Sequence, residues 1–387
     1  MLFRSTRANR SCMKVLLCSP YEPVIKENAG GIAMWAKHIM DFYKGTDDGV
    51  DIEVLPYNRS IYVHNGLNPL VRLYKGAADY LGLMWKTRKR IKEEKFDVLH
   101  LCSSALLSII RDYFVMRMAR RNGVAGVLHF HCGRIPRIAA NGGWRWKLLK
   151  SAVSMASASV VLDDESYNVL VSNGFKNVYK VPNPLSSNML HDINAMSIDV
   201  HRVPRRILFV GHVIPTKGVY ELVQACSGIE NVELRLVGRV EERVKDELLK
   251  IASAKGNDWM KLLGEVGHDD VLREMLSCDM FVFPSYTEGF PNVIIEAMAC
   301  GAPIISTGVG AIPEILGFGS DTEIGVHVPV KDVGSLRKAI VGLIDDVRQK
   351  EIFSSRAVEK VCCAYSIAVV WKKISEVWKR STLDRTV

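Results

Sequence analysis

Glu288 and Glu296 are the two side chains of this 387-residue sequence whose type and spacing most clearly suggest chemistry. Glu288 is expected on a loop after the apolar strand 280–283, and Glu296 inside the helix that follows. Free backbone N–H groups at the start of such a helix bind anions such as phosphate. An ionised carboxylate accepts hydrogen bonds from hydroxyl pairs such as those of a ribose. The pattern predicts a nucleotide-sugar pocket, although a solvated glutamate on an ordinary helix fits the spacing equally well.

The helix that carries Glu296 is expected to begin near Pro291, whose fixed backbone angle suits a first helical turn. It should end at Gly301, a residue that readily takes a left-handed cap. The next apolar run, 302–305, predicts a strand. We expect the apolar positions Val293, Ala297 and Cys300 to fall on one face of this helix.

Lys217 is a second candidate for contact with phosphate. A predicted strand, 207–210, ends at Gly211, and the following loop carries His212 and Lys217 before the helix 219–226. A lysine at a helix start after a glycine turn is suited to binding a phosphate, because its charge acts together with the backbone N–H groups.

The first half of the chain places Gly30, Gly31 and His131 where strands are expected to end. The glycine pair opens a helix after a strand and allows backbone N–H groups to approach a phosphate or sugar closely, although many ordinary turns contain such glycines. His131 follows the strand 125–130, at the carboxyl end where such folds bind ligands. We expect the competing His129 to point to the opposite face of the sheet.

Apolar strands alternate with helical segments along the sequence, which predicts an α/β protein with parallel sheets covered by helices. The predicted strands are 14–19, 51–55, 96–101, 125–130, 158–162, 178–181, 207–210, 233–237, 261–263, 280–283 and 302–305. The predicted helices include 32–43, 70–95, 105–121, 134–150, 164–172, 219–226, 241–254, 333–343 and 365–378.

Positive charge is concentrated in the first half of the chain. Residues 1–185 contain 27 Lys and Arg against 15 Asp and Glu, a net charge of +12, whereas residues 186–387 carry −3. A basic half suggests an anionic partner: a membrane surface, an acidic acceptor or nucleic acid. Within it, the segment 134–150 mixes Arg and Lys with two tryptophans, which suits either a membrane interface or a solvated helix with a core face.

Other features argue against membrane insertion, disulfides and a metal site. No apolar stretch reaches the roughly 18 residues of a membrane-spanning helix, and residues 1–10 lack the apolar region of a signal peptide. The nine cysteines include no Cys-x-x-Cys pair, which fits a reducing cytosol. The acidic run 163–165 is better explained as a helix start. We expect a cytoplasmic protein that needs no metal or cofactor, starting at Met1 or Met13.

The segment 288–301, Glu-Gly-Phe-Pro-Asn-Val-Ile-Ile-Glu-Ala-Met-Ala-Cys-Gly, resembles the signature of glycosyltransferase family 4, also called glycosyl transferases group 1. The resemblance covers most of the chain and implies the GT-B fold, two Rossmann-like domains with parallel sheets facing a central cleft. The expected divisions are an acceptor-side domain 1–185, a linker 186–204, a nucleotide-sugar domain 205–364 and a C-terminal helix 365–387 that crosses back to the first domain.

The resemblance also implies roles for the candidate residues. Lys217 would neutralise the donor diphosphate, Glu288 would orient the sugar and Glu296 would hold the ribose. His131 would approach the sugar from the first domain. His212 departs from the family pattern, which usually has arginine there, and histidine cannot make the two-pronged phosphate contact of arginine. The expected donor site comprises Gly30, Gly31, Gly211, His212, Lys217, Glu288, Gly289, Phe290, Pro291, Asn292, Val293 and Glu296.

The resemblance, together with these residues, implies a retaining, metal-independent hexosyltransferase that moves a sugar from a UDP- or GDP-sugar to a glycan or lipid-linked acceptor. Its expected process is polysaccharide or cell-surface glycan synthesis, with the basic half docked on the inner face of a membrane. Two alternatives stay open: a nucleotide-sugar epimerase on the same fold, and a non-catalytic glycosyltransferase-like binding subunit. Nucleic acid is not an expected partner, because the basic half contains no recognisable nucleic-acid-binding motif.

Overall fold

The computed structural model describes residues 12–21, 30–46, 48–57, 69–105, 108–253, 256 and 258–383. The chain divides into two compact units. The first comprises Met1–Leu162, Ser166–Val181 and Trp371–Val387, and the second comprises Asp163–Glu165 and Pro182–Val370. The division therefore falls at residues 181 and 182, near the Pro-Asn-Pro segment.

Strands and helices alternate in both units, as the sequence predicts. The strands are β1 (Met13–Ser19), β2 (Val50–Pro56), β3 (Val98–Ser103), β4 (Ala125–Phe130), β5 (Ala158–Val161), β6 (Val178–Lys180), β7 (Arg206–Val210), β8 (Glu233–Val237), β9 (Met260–Gly264), β10 (Met280–Phe283), β11 (Ile304–Thr307) and β12 (Gly325–Val328). The helices are α1 (Gly31–Tyr43), α2 (Pro69–Glu93), α3 (Ser108–Arg121), α4 (Ile135–Asn141), α5 (Gly143–Met155), α6 (Asp164–Ser172), α7 (Ser187–Met196), α8 (Val219–Ser227), α9 (Glu242–Ser253), α10 (His268–Ser277), α11 (Asn292–Ala299), α12 (Ile312–Leu316), α13 (Val333–Ile344), α14 (Val347–Lys360) and α15 (Ile367–Leu383).

Each unit contains one six-stranded sheet in which neighbouring strands are parallel. The strand order is β2-β1-β3-β4-β5-β6 in the first unit and β12-β11-β10-β7-β8-β9 in the second. Strands such as β3, β4 and β10 are buried along their whole length, as expected when helices cover both faces of a parallel sheet. The predicted α/β architecture with two parallel sheets is confirmed.

Three helical predictions differ from the structure by three residues or more or in the number of helices, whereas the other predicted helices agree with it to within two residues at each end. The segment 134–150 forms two helices, α4 and α5, because Gly142 and Gly143 both take positive φ values, 61° and 71°. Helix α3 begins at Ser108, since Ala105 has a positive φ of 53°. A π-helical turn, Val361–Tyr365, precedes α15, so the last α-helix begins at Ile367 and continues to Leu383.

The segment 186–204, expected to be a linker, contains α7. Ser186 caps this helix by accepting a hydrogen bond from the Met189 backbone N–H. Met189 and Ile193, one helical turn apart, are buried in the core of the second unit. This apolar pair explains why the segment forms a packed helix.

Helix α11 packs against the core of the second unit. Its buried side chains include Ile294, Ala297 and Met298, whereas Val293 is half-buried. The helix ends as expected, because Gly301 has a left-handed φ of 65° immediately after the cap residue Cys300. Of the three positions predicted to share a face, Ala297 and Cys300 are buried in the core of the second unit, and Val293 packs against that core. Among the described residues, no helix combines the length and apolar content required to cross a bilayer.

Candidate functional site

The second sheet reverses its strand order between β7 and β10. From β7 the order runs outward through β8 and β9, and from β10 it runs the other way through β11 and β12. Open parallel sheets bind ligands outside the carboxyl ends of their strands at such a switch point. The loops that follow β7 and β10 carry most of the predicted donor-site residues, so the topology brings these residues to one edge of the sheet.

Lys217 and Glu288 form an ion pair between these two loops. Lys217 Nζ lies 2.5 Å from Glu288 Oε1, and the side chains are 24% and 11% exposed. The ammonium group also lies 5.3 Å from the centre of the Phe283 ring, an arrangement that favours a cation. Lys217 and Glu288, for which the family resemblance implies contact with the diphosphate and the sugar, are therefore in direct contact.

The loops around this ion pair are packed backbone against backbone. The Tyr286 N–H donates to the Thr216 carbonyl at 2.9 Å. Gly218 has a φ of 71°, and a Cβ atom added there would lie only 2.1 Å from the Pro284 carbonyl oxygen. Gly310, also left-handed, lies against the carbonyl groups of Glu288 and Gly289 in the same way. Lys217 and Glu288 are thus carried by backbone with little freedom to shift.

Helix α11 begins at the end of the loop that carries Glu288. Its first turn and Glu296 are therefore close to that loop in sequence. The N-cap residue Pro291 makes no side-chain capping hydrogen bond, and Asn292 Oδ1 accepts a hydrogen bond from the Asn183 amide N–H at 2.9 Å. Glu296 is half-buried. Burial raises the pKa of its carboxyl group, and the nearby His268 partly opposes this effect. Hydrogen-bond donors of a ligand would stabilise such a carboxylate, because they would compensate for the water that it has lost on burial.

The loop after β7 also contains Gly211 and His212. Gly211 has a φ of 150°, and its carbonyl group lies so close to Gly238 that a Cβ atom on Gly238 would approach it to 2.1 Å. The side chain of His212 is exposed. Phe290 is half-buried and its ring lies 6.2 Å from that of Tyr365, whereas Pro291 is buried.

The remaining predicted donor residues belong to the first unit. Gly30 and Gly31 open α1, but both have ordinary backbone angles and a Cβ atom would meet nothing within 4 Å. Within the described part of the chain, neither the backbone angles nor a steric contact requires glycine at these two positions. The preceding residues of the predicted glycine turn, Asn28 and Ala29, lie outside the described residues.

His131 follows β4, and its position relative to His129 corrects the sequence analysis. The two residues are two positions apart, so they lie on the same face of the sheet, and their ring centres are 3.9 Å apart. The expectation that His129 points to the opposite face is wrong. The ring of Trp35 lies 5.0 Å from that of His131 and 4.9 Å from that of His129.

Sequence reasoning missed two further residues of this histidine cluster, His100 on β3 and Trp378 on α15. His100 is fully buried, and it contacts His129, Trp35 and Trp378. The sequence did offer a signal for His100, because the predicted neighbouring strands β3 and β4 each contain one histidine among mostly apolar residues. Nothing in the sequence indicated that Trp378, 278 positions away, would join them.

The basic and aromatic segment 134–150 has both a core face and an exposed face. Leu149 is buried in the core of the first unit, whereas the Trp144 side chain is 57% exposed. The guanidinium group of Arg145 lies 5.5 Å from the Trp144 ring, and Lys150 Nζ lies 5.6 Å from the Trp146 ring. The surface of α5 thus combines cations with aromatic rings.

The architecture of two parallel α/β sheets is that of GT-B glycosyltransferases. The crystal structure of Anabaena HepE in complex with UDP is similar over 95% of this chain and 99% of that chain, with a TM-score of 0.66 and 17% identity. At this level of identity the likeness shows the fold, and the predicted GT-B class is confirmed.

Sequence comparison finds similarity to one family of glycosyltransferases. The model of the family described as glycosyl transferases group 1 matches residues 204–346. An uncharacterized glycosyltransferase of Methanocaldococcus jannaschii is 26% identical, over 94% of this chain and 99% of that protein. A phosphatidyl-myo-inositol mannosyltransferase of Mycolicibacterium smegmatis is 25% identical, over 84% of this chain and 78% of that protein. The chain is therefore similar to glycosyltransferases of group 1, and the resemblance predicted from the sequence is confirmed.

Proposed function

We propose that this protein is a retaining, metal-independent hexosyltransferase that uses a UDP- or GDP-sugar. The observation that carries the proposal is the Lys217–Glu288 ion pair at the switch point of the second sheet, beside the start of α11. A UDP complex of the similar Anabaena HepE supports a nucleotide donor, and the mannosyltransferase name of the mycobacterial relative supports a glycan or lipid-linked acceptor. The process served would be polysaccharide or cell-surface glycan synthesis.

In this proposal the diphosphate of the donor competes with Glu288 for Lys217. The leaving diphosphate gains negative charge during transfer, and a preorganised cation and N–H groups stabilise that charge. The N–H groups would come from the first turn of α11. Release of Glu288 from its ion pair would free its carboxylate to accept hydrogen bonds from the sugar hydroxyls, while Glu296 would accept those of the ribose.

Replacing Glu296 with alanine is expected to weaken nucleotide binding by about 10- to 100-fold, because a charged hydrogen bond contributes about 1.5–3 kcal/mol. The measurement is a thermal-shift panel with UDP, GDP, ADP and their common sugar conjugates, since a ligand of the folded state raises the melting temperature. One nucleotide should raise it in the unaltered protein and have little effect in Glu296→Ala.

The matched control is Glu351→Ala, which removes an exposed glutamate of the same unit. It should leave the nucleotide shift unchanged. If no nucleotide stabilises the unaltered protein, the non-catalytic binding subunit becomes the better reading. If the donor is epimerised or hydrolysed without transfer to any acceptor, the epimerase alternative gains support.

We further propose that the exposed face of α5 docks on an anionic membrane that carries a lipid-linked acceptor, which would make the protein peripheral on the cytoplasmic side. The support is the combination of exposed Trp144 with Arg145 and Lys147 on one short helix. Tryptophan suits the headgroup region, and each basic residue near an anionic surface contributes about 1 kcal/mol.

Sedimentation with liposomes tests this docking. The unaltered protein should sediment with phosphatidylglycerol vesicles at low salt and remain in solution with phosphatidylcholine vesicles. The double variant Trp144→Ser, Arg145→Ser should lose about tenfold in vesicle affinity. Trp85→Ser, which removes another exposed tryptophan of the first unit, is the control. Equal sedimentation of all three proteins would show that α5 is not the docking surface.

A further inference from the structure

A chain of hydrogen bonds joins Trp378 to two buried histidines inside the first unit. The indole Nε1–H of Trp378 donates to His100 Nδ1 at 2.8 Å. His100 Nε2 lies 3.2 Å from His129 Nδ1. All three side chains have no solvent exposure. This series of hydrogen bonds ends at His129, whose ring centre lies 3.9 Å from that of His131.

The geometry determines where the protons of both histidines lie. An indole nitrogen is a donor only, so His100 Nδ1 must accept with its lone pair. The proton of His100 is then on Nε2, and it is donated to His129 Nδ1. His129 in turn carries its own proton on Nε2, and this atom has no hydrogen-bond partner in the described part of the chain. Both rings are therefore neutral and in the same tautomer.

Burial supports this assignment. It lowers the pKa of His100 to about 3. It also holds the pKa of His129 well below its usual value, and the neighbouring His131 and His100 add to that effect. A neutral ring at His129 leaves the adjacent His131 without a repelling positive charge.

The same assignment argues against a metal ion in this cluster. His100 Nε2, Cys102 Sγ and a His129 nitrogen all lie within 4.8 Å of one another, which is a spacing that could hold an ion. A histidine nitrogen ligates a metal only through a free lone pair, and a protonated nitrogen has none. As long as Trp378 donates to Nδ1, His100 Nε2 is protonated and cannot be a ligand.

We propose that Trp378, His100 and His129 are positioning residues that keep His131 in a fixed ring orientation for its contact with the donor sugar. Trp35 completes the enclosure, because its ring packs on those of His100, His129 and His131 at 4.9–5.4 Å. The inference rests on the proposed role of His131 in the transfer reaction. Trp378 is contributed by α15, so the last helix of the chain takes part in ordering a residue that follows β4.

The first experiment measures ring tautomers by ¹⁵N NMR on the full-length protein with labelled histidine. The resonances of His100 and His129 are assigned by comparison with His100→Gln and His129→Gln. Both rings are expected as neutral Nε2–H tautomers that do not titrate between pH 8 and 5. In Trp378→Phe, His100 loses its donor and should show a mixture of tautomers.

Trp371→Phe is the matched control, because Trp371 lies two turns earlier on α15 and donates its indole N–H to Asp48 instead. It should leave both histidine tautomers unchanged. For the transfer reaction, Trp378→Phe is expected to lower kcat about tenfold with a KM for the donor within about twofold, since misplacement of a contact group acts mainly on the transition state. Trp371→Phe should change neither constant by more than about twofold.

A second pair of variants keeps the test decisive if Trp378→Phe does not fold. His100→Gln retains an acceptor and a donor, whereas His100→Leu retains neither. Activity close to normal in His100→Gln and reduced in His100→Leu would support the proposed positioning role of His100.

Three results would overturn the inference: a Nδ1–H tautomer at His100, a stoichiometric metal ion in the purified protein, or equal kcat values for Trp378→Phe and the unaltered protein. Failure of the proposed function would look different, because the tautomers would be as expected while the unaltered protein transferred no sugar.

Discussion

Replacing Lys217 with methionine is expected to lower kcat by about 10²- to 10³-fold, the usual effect of removing one group that stabilises developing negative charge. Methionine keeps much of the length of the side chain but removes the ammonium group that lies 2.5 Å from Glu288. The rate is measured with the donor that the thermal-shift panel identifies, and kcat and KM are determined separately. Lys217→Arg, which preserves the charge, should retain more activity than Lys217→Met.

The ion pair with Glu288 requires a control for stability. Lys217→Met leaves a largely buried carboxylate without its partner, which should lower the free energy of unfolding by about 1–3 kcal/mol. The double variant Lys217→Met, Glu288→Gln removes both charges and should recover most of that stability without recovering kcat. Lys245→Met, which removes a lysine of the same unit whose side chain is 45% exposed, should be close to normal in both measurements. A normal kcat in Lys217→Met would show that the site is wrongly assigned.

Replacing Gly218 with alanine is expected to lower the free energy of unfolding of the second unit by about 3 kcal/mol or more. The added methyl group would lie 2.1 Å from the carbonyl oxygen of Pro284, and neither this backbone carbonyl nor the proline ring beside it can rotate away. Overpacking of this kind costs about 1–3 kcal/mol, and a left-handed alanine adds about 1–2 kcal/mol. Urea denaturation measures the change, with nucleotide binding as a second readout.

Gly319→Ala separates the two contributions to this loss. Gly319 also has a left-handed φ, 80°, but a Cβ atom there would meet nothing within 4 Å. It should therefore lose only the backbone contribution of about 1–2 kcal/mol and should bind nucleotide normally. If both variants lose the same stability, the contact between Gly218 and Pro284 is not what requires glycine at that position.

Much of the fold could be predicted from the sequence, because its elements are determined by local patterns. Alternating apolar strands and helices are sufficient to predict parallel sheets, and Ala125–Phe130 and Met280–Phe283 begin and end at the predicted residues. The predicted bounds of helices were wrong where the backbone angles of individual residues determine them. Gly142 and Gly143 divide the segment 134–150 into two helices, and a sequence of helix-forming residues around them does not show which φ a glycine will take.

The spacing of Glu288 and Glu296 and the loop that carries Lys217 could also be recognised in the sequence, because each lies within one strand-loop-helix segment. The contact between Lys217 and Glu288 could not be predicted from the sequence, because 71 residues separate them. Only the pairing of β7 with β10 brings their loops together. The histidine cluster was even harder to predict from the sequence, because tertiary packing alone assembles it. His100, His129 and Trp378 come from three distant segments, and the protonation of the two histidines follows from one indole hydrogen bond that only packing creates.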